Sequence, residues 1–215
     1  MFRFLIDGGH PLKGEIQLIG STAGAVTGLA VGLLTGELFV LEKVPRNRET
    51  LGMLELLEFL GLRPITDFAK GTVSLESAEV KLKALTPSLC QKTRFYPLLL
   101  GALLSRFNEA VIPSPGVLGF HQIDRILSVL AALGIEIKEK NGFIFAKGKV
   151  KSGNVSFRRN TILGTMTIIL AAVFLPIPCT ACRLPASCRN MARRTSSGLA
   201  TSKMFKADRG PIPDT

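Results

Sequence analysis

The sequence predicts an α/β protein that is built from one repeated unit. Two amphipathic helical patterns each end in Leu-Gly, and each is followed by two short strand patterns around a tight turn. Each is also preceded by a nearly uncharged helical run and an apolar strand. We therefore predict repeats of helix, strand, helix, strand and strand, in which the uncharged helices are buried at the centre.

The first uncharged run, "LIGSTAGAVTGLAVGLL", has glycine at every fourth position. No Gly-Lys-Ser/Thr pattern and no dinucleotide fingerprint accompanies it, so a phosphate-binding loop is not expected. Glycine inside a helix is unfavourable by about 1 kcal/mol relative to alanine, which suggests that the space beyond each Cα is occupied. We expect Gly24, Gly28 and Gly32 to lie on one face of a buried helix, against the apolar helices of the other repeats.

A membrane span is the competing interpretation of the uncharged runs, since about 20 apolar residues cross a bilayer. The second run, however, is short and lies between Arg94 and Arg106, and Pro176 and Pro178 interrupt the third. One apolar helix in each repeat is better explained as a buried central helix, and no membrane span is expected.

The amphipathic helices "LGMLELLEFLGLRPI" and "IDRILSVLAALGIEI" carry leucine and isoleucine at helical spacing. Gly61 and Gly134 are the expected stops, because glycine readily adopts the left-handed conformation that ends a helix. After the second helix, Asn141-Gly142 predicts a two-residue hairpin turn.

The repeat divides the chain into three segments. Residues 20–174 form the repeat-built domain, with two full repeats and the start of a third. Residues 175–215 contain five prolines and three cysteines without helical periodicity, so we expect an irregular basic tail. The change of composition after Phe174 suggests a shifted reading frame or a comparable truncation. Residues 1–19 precede the repeats.

The charge balance limits the partners. The chain has 27 Lys and Arg against 16 Asp and Glu, a net charge of +11, which favours an anionic partner. With one Tyr and no Trp, a stacking surface for nucleic acid is not expected. A secretion signal is not recognised at the start, and four cysteines are too few for a disulfide framework, so we expect a cytoplasmic protein.

Four stretches in fixed order resemble a known family: "GGHPLKGEIQLIGS", "LEKVPRNRETLGMLELLEFLG", "RFYPLLLGALLSRFNEAVIPSPG" and "IDRILSVLAALGIEI". They are similar to the N-terminal half of the UDP-N-acetylglucosamine 1-carboxyvinyltransferases, which are enolpyruvyl transferases. The resemblance implies an inside-out α/β barrel and transfer of enolpyruvate from phosphoenolpyruvate to UDP-N-acetylglucosamine in peptidoglycan synthesis, without cofactor or metal. It implies a diverged and truncated member, whose strands at 1–19 would pair with a second domain.

The resemblance also assigns the substrate-binding positions. Ser21 is kept from the family pattern Gly-Ser-Lys-Asn, but Thr22 and Ala23 replace the Lys-Asn pair that holds phosphate and sugar. Arg94 matches the arginine that approaches phosphoenolpyruvate, and Asp124 matches the aspartate beside the uracil pocket. Each of these two is equally explained as an ordinary residue at a helix start.

The mobile loop of the family carries a cysteine or aspartate that donates the proton. In "PSPGVLGFHQID" that place is taken by Gly116 or Val117, so no catalytic residue is retained and the chain is expected to be impaired or inactive. His121 lies near the loop arginine of the family, and a solvated loop histidine is the simpler interpretation. In the third repeat, residues 164–167 lack the acidic group of the family pattern.

The remaining motifs carry less weight. Cys179 and Cys182 have zinc-like spacing and Cys188 follows, but no fourth ligand is near, so no metal site is expected. His10 is expected in a turn. Two alternatives stay open: a non-catalytic module that binds a nucleotide sugar or an anion around Arg94, and a small basic membrane or nucleic-acid protein whose repeat is coincidental.

Overall fold

The computed structural model describes residues 20–77, 80–118, 123–156, 161–174 and 180–182, together with 5, 9 and 13–15. Its helices are α1 (Thr22–Gly32), α2 (Arg48–Phe59), α3 (Pro87–Cys90), α4 (Pro97–Phe107), α5 (Pro115–Leu118), α6 (Ile123–Ala132) and α7 (Ile162–Ala172). Its strands are β1 (Phe39–Leu41), β2 (Leu62–Asp67), β3 (Thr72–Ser77), β4 (Glu109–Pro113), β5 (Glu136–Lys140), β6 (Phe143–Lys147), β7 (Asn154–Ser156) and β8 (Thr180–Cys182).

Two antiparallel sheets have the same strand order, β1-β3-β2 in the first repeat and β4-β6-β5 in the second. In each, the strand that follows the apolar helix pairs with the last strand of the hairpin. The predicted order of helix, strand, helix, strand and strand is therefore confirmed for both repeats. The third sheet pairs β7 with β8 in parallel across α7.

An additional extended segment precedes the apolar helix of the second repeat. The Leu85 N–H donates to the Val111 oxygen of β4 at 3.0 Å, which joins this segment to the sheet of the second repeat.

The uncharged helices α1, α4 and α7 are buried at the centre, as predicted, and the sheets lie outside them. Helices α4 and α7 approach closely at Gly101, because a Cβ there would collide with the Thr167 backbone oxygen. Each of the three helices has 11 residues. Within the described part of the chain, no helix is long and apolar enough to cross a membrane.

The predicted helix stops and the predicted turn are confirmed. Gly61 and Gly134 follow α2 and α6 with φ of 102° and 88°, a conformation that favours glycine. Asn141 and Gly142 join β5 to β6 with φ of 54° and 75°. Two successive positive φ angles are typical of a type I′ hairpin turn, which suits the right-handed twist of the strands.

The expected packing of the α1 glycines is wrong. A Cβ at Gly28 would lie 2.8 Å from the Leu41 side chain, and one at Gly32 would lie 2.5 Å from Leu75. Gly24 faces only Ser21 of its own helix start. The glycines thus let α1 lie close to the sheet of its own repeat, whereas the close approach between helices of different repeats occurs at Gly101.

Most of the two terminal segments lies outside the described residues. In the segment 175–215, the structure describes 180–182 as strand β8, at the position where a third repeat has its first strand. The division of the chain at residues 19 and 174 therefore stays a prediction.

Candidate functional site

Side-chain contacts between the central helices show how they are arranged. The Thr167 hydroxyl of α7 donates to the Pro97 oxygen of α4 at 3.3 Å, and one turn further along α4, Gly101 faces Thr167 and Ala171. The Thr27 hydroxyl of α1 is 3.0 Å from the Met166 sulfur of α7. The two contacts between α4 and α7 advance in the same direction along both helices, so α4 and α7 run in parallel, and the start of α4 lies beside the middle of α7.

Side-chain contacts join the starts of α1 and α2 to the segment before α4, and we call these residues the helix-start cluster: Thr22, Asn47, Glu49, Thr93 and Arg94. The Asn47 amide donates to the Thr22 hydroxyl at 2.8 Å, and its oxygen accepts the Thr50 N–H at 3.0 Å. The Asn47 side chain therefore caps α2 through its oxygen and holds the Thr22 hydroxyl through its amide nitrogen. Ser21 caps α1 by accepting the Gly24 N–H at 3.3 Å.

The Glu49 carboxylate holds the segment before α4. It accepts the Thr93 hydroxyl at 2.7 Å and the Arg94 N–H at 3.0 Å, while Arg94 Nε lies 3.9 Å from its other oxygen. Thr93 is buried, and its hydroxyl also accepts the Phe95 N–H. The backbone of Arg94 is thus fixed on α2, whereas its side chain is 69% exposed and can reach a ligand.

Two further cations accompany Arg94 at this end. Lys43 is exposed, and its backbone oxygen lies so close to Gly20 that a Cβ at Gly20 would collide with it. This contact gives a physical reason for the glycine that precedes α1. Arg48 opens α2 and donates to the Gln91 oxygen at 3.3 Å. Positive side chains and helix starts together favour an anionic ligand.

Asp124 is exposed in the first turn of α6. It belongs to the surroundings of Tyr96, the residue before α4: burial raises the pKa of Tyr96 well above its usual range, and the charges of Cys90 and Asp124 add to the increase. Burial also raises the pKa of the Cys90 thiol to about 12, so this cysteine is unreactive at neutral pH. Asp124 therefore lies close enough to Tyr96 for its charge to act on the phenol.

The start of the loop after β4 is hydrogen-bonded to a carboxylate of the β5–β6 hairpin. The buried Ser114 hydroxyl donates to Glu139 of β5, and the Ser114 N–H donates to the Gly142 oxygen at 2.8 Å. Gly116 is exposed in α5, and Val117 follows it in the same short helix. Through Ser114, the Glu139 carboxylate contacts the start of this loop.

Several predicted positions lie outside the described residues: His10, His121, Cys179 and Cys188. Cys182 belongs to strand β8. Across the described ranges, no group of His, Cys, Asp and Glu could hold a metal ion. Ala23 contributes its backbone oxygen, which accepts the Thr27 hydroxyl at 2.8 Å.

Sequence reasoning missed Asn47 and Glu49, which connect Thr22 to Arg94. A signal was present, because Asn47 comes directly before an amphipathic helix and Glu49 lies in its first turn. Such residues are typical of a helix start. Their second role, as anchors of Thr22 and of the segment at Arg94, depends on contacts between repeats that no local pattern contains.

Solved structures share this architecture. The chain is similar to the enolpyruvyl transferase NikO from Streptomyces tendae, with 18% identity, a TM-score of 0.63, and coverage of 77% of this chain and 39% of that one. The chain has the enolpyruvyl transferase fold. Two structures of EPSP synthase from Acinetobacter baumannii agree, with TM-scores of 0.58 and 0.57 at 16% and 15% identity over 75% of this chain.

These similarities confirm the predicted inside-out α/β fold, with central helices and outer sheets. The chain spans 39% and 38% of the length of these solved structures. No protein-family profile matches the sequence.

Proposed function

We propose that the chain forms a substrate-binding half of an enolpyruvyl transferase and takes UDP-N-acetylglucosamine and phosphoenolpyruvate, in the cytoplasm, for peptidoglycan precursor synthesis. The observation that carries the proposal is the helix-start cluster, in which Glu49 fixes the backbone of Arg94 and leaves its guanidinium exposed. A guanidinium can bind a phosphate or carboxylate through two parallel hydrogen bonds.

The chemistry requires cations and proton transfer. Transfer joins the sugar hydroxyl oxygen to the central carbon of phosphoenolpyruvate, and the bond from that carbon to the phosphate oxygen breaks. In this chain Arg94, Lys43 and Arg48 are available for the charge of the phosphates, and Asp124 for the uracil side. The helix starts add partial positive charge in the same region.

We propose that turnover by this chain is impaired. Thr22 and Ala23 carry no charge, although the resemblance expects a lysine and an asparagine there, and a threonine hydroxyl cannot replace an ammonium group. The Thr22 hydroxyl is moreover engaged by Asn47. Losing one preorganised donor typically costs about 3 kcal/mol of transition-state stabilisation, and the loop donor is absent as well.

A second candidate function is a non-catalytic module that binds a nucleotide sugar or an anion. The fixed backbone and exposed side chain of Arg94 support it equally, because they require no proton donor. The two candidates differ only in turnover, so binding and phosphate release must be measured on the same preparation.

Calorimetric titration with UDP-N-acetylglucosamine and with phosphoenolpyruvate tests the proposal, alone and in combination. We expect binding that Arg94→Gln weakens about tenfold, as expected for a lost charged hydrogen bond. Lys147→Gln is the matched control. Lys147 is 70% exposed and forms an ion pair with Glu109, the first residue of β4.

The outcomes separate the two candidates. Slow sugar-dependent phosphate release above a no-protein control, lost in Arg94→Gln, would support an impaired transferase. Fast release that is lost in Arg94→Gln would contradict the impaired turnover, and binding without release would favour the non-catalytic module. If neither ligand binds, or if Arg94→Gln and Lys147→Gln bind alike, the helix-start cluster is not the substrate site.

A further inference from the structure

Glu49 supplies the carboxylate of the helix-start cluster, and both of its oxygens have partners. One oxygen accepts the Thr93 hydroxyl at 2.7 Å and the Arg94 N–H at 3.0 Å, and the other lies 3.9 Å from Arg94 Nε. The Glu49 side chain is 25% exposed, and Thr93 is buried. Glu49 therefore contacts both the backbone and the side chain of the same arginine.

The position of the Arg94 guanidinium depends on three neighbouring groups. The Thr93 hydroxyl donates to Glu49 and accepts the Phe95 N–H at 3.1 Å, so it links α2 to the start of α4. The Arg94 guanidinium carbon lies 5.1 Å from the centre of the buried Phe95 ring. The anchored backbone, the aromatic ring and the Glu49 carboxylate together give the guanidinium a preferred place, although the side chain reaches into solvent.

The contact with Glu49 determines which nitrogens of Arg94 are left for a ligand. A guanidinium has one donor on Nε and four on its two terminal nitrogens. Glu49 lies on the Nε side, and the terminal nitrogens make no hydrogen bond within the described ranges. A phosphate or carboxylate at the terminal nitrogens can accept two parallel hydrogen bonds.

The charge of Glu49 acts in the opposite direction from its geometry. Like charges repel, so a role through charge alone predicts that removing this carboxylate tightens the binding of an anion. A role through orientation predicts that removing it weakens binding, because the guanidinium loses its preferred place. The two effects differ in sign, and a single substitution distinguishes them.

We propose that Glu49 is a positioning residue for Arg94, which it holds so that the terminal nitrogens meet the phosphate or carboxylate of phosphoenolpyruvate. This inference rests on the proposed function, since it concerns the same substrate site. Glu49 acts through Arg94 and the segment at Thr93, without contact to the substrate.

Calorimetric titration of the whole chain with phosphoenolpyruvate, in the presence of UDP-N-acetylglucosamine, tests the proposal. In Glu49→Gln the amide oxygen can still accept from Thr93 and from the Arg94 N–H, but the amide nitrogen then faces Arg94 Nε and two donors meet. We expect binding to weaken about fivefold. Glu55→Gln is the matched control, because it removes the same charge from α2 and breaks the ion pair with Lys92.

Two further variants separate positioning from charge and from a general loss of structure. Glu49→Asp keeps the charge in the first turn of α2 but is one methylene group shorter, so positioning predicts weaker binding and charge alone predicts the parent affinity. In the Arg94→Gln background, Glu49→Gln should change the affinity by less than about twofold, because the group that it positions is absent. A full loss in that background would mean that Glu49 acts elsewhere and would overturn the proposal.

The side-chain Nε–H signal of Arg94 in nitrogen NMR, identified by its loss in Arg94→Gln, gives a readout that needs no ligand. We expect slower proton exchange with water in the parent and in Glu55→Gln than in Glu49→Gln. If phosphoenolpyruvate does not bind the parent, the proposed function fails, and this signal decides on Glu49 alone. Equal or tighter binding by Glu49→Gln, or an Nε–H signal that Glu49→Gln leaves unchanged, overturns the proposal.

Discussion

Helices α1 and α4 occupy the same place in successive repeats, yet their glycines face different neighbours. In α1, Gly28 and Gly32 lie over the flexible ends of leucine side chains of the first sheet. In α4, Gly101 lies over the backbone of α7. A side chain can rotate away from an added methyl group, but a helix backbone cannot move without disturbing the whole interface. Similar glycines therefore carry different tolerance for substitution.

The largest effect is expected for Gly101→Ala. The new Cβ would collide with the Thr167 oxygen and crowd the Ala171 nitrogen, so α4 and α7 must separate. We expect a loss of about 3 kcal/mol in the free energy of unfolding, at the upper end of typical overpacking. Urea denaturation followed by circular dichroism measures it. An unchanged midpoint would show that the two helices are further apart than described.

The next effect is expected for Gly28→Leu in α1. Four added carbon atoms must fit where Leu41 now lies 2.8 Å from an ideal Cβ, and the sheet must shift. We expect a loss of about 2 kcal/mol. Gly28→Ala is the matched control, because the end of Leu41 can rotate and the helix gains about 1 kcal/mol of propensity. Equal midpoints for the parent and Gly28→Leu would contradict the packing against β1.

This contrast also marks what the sequence could predict. Local signals identified the stops at Gly61 and Gly134 and the Asn141-Gly142 turn, because each depends on the conformation of one or two residues. The neighbour of a glycine depends on how helices and sheets pack in three dimensions. The spacing in α1 therefore predicted close packing correctly at Gly28 and Gly32 but not at Gly24, and it predicted the packing partner wrongly.

For the candidate site, too, the sequence predicted local features but not contacts between distant segments. The sequence offered Arg94 and Asp124 as ordinary residues at helix starts, and the structure places Asp124 in the first turn of α6 and Arg94 in the segment before α4. Sequence reasoning did not find the link through Asn47 and Glu49, because these residues join segments that are far apart along the chain.

The two helices also begin differently, which gives a third test. Ser21 caps α1 through the Gly24 N–H, whereas α4 begins at Tyr96 and Pro97 without a side-chain cap. We expect Ser21→Ala to reduce the free energy of unfolding by about 1 kcal/mol. Ser21→Asn is the control that should retain most of the stability. Equal losses in both variants would mean that the hydroxyl acts through another contact.

The smallest effect, with the opposite sign, is expected for Gly24→Ala. Gly24 shares the four-residue spacing of Gly28 and Gly32, but its ideal Cβ meets only Ser21, at an ordinary distance of 3.5 Å. Alanine restricts the unfolded chain and favours the helix, so we expect a gain of about 0.5 to 1 kcal/mol. Urea denaturation of Gly24→Ala beside Gly28→Ala measures the difference between an open and an occupied glycine. A loss of stability at Gly24 would mean that it also packs against a neighbour, and the distinction between the glycines of α1 would fail.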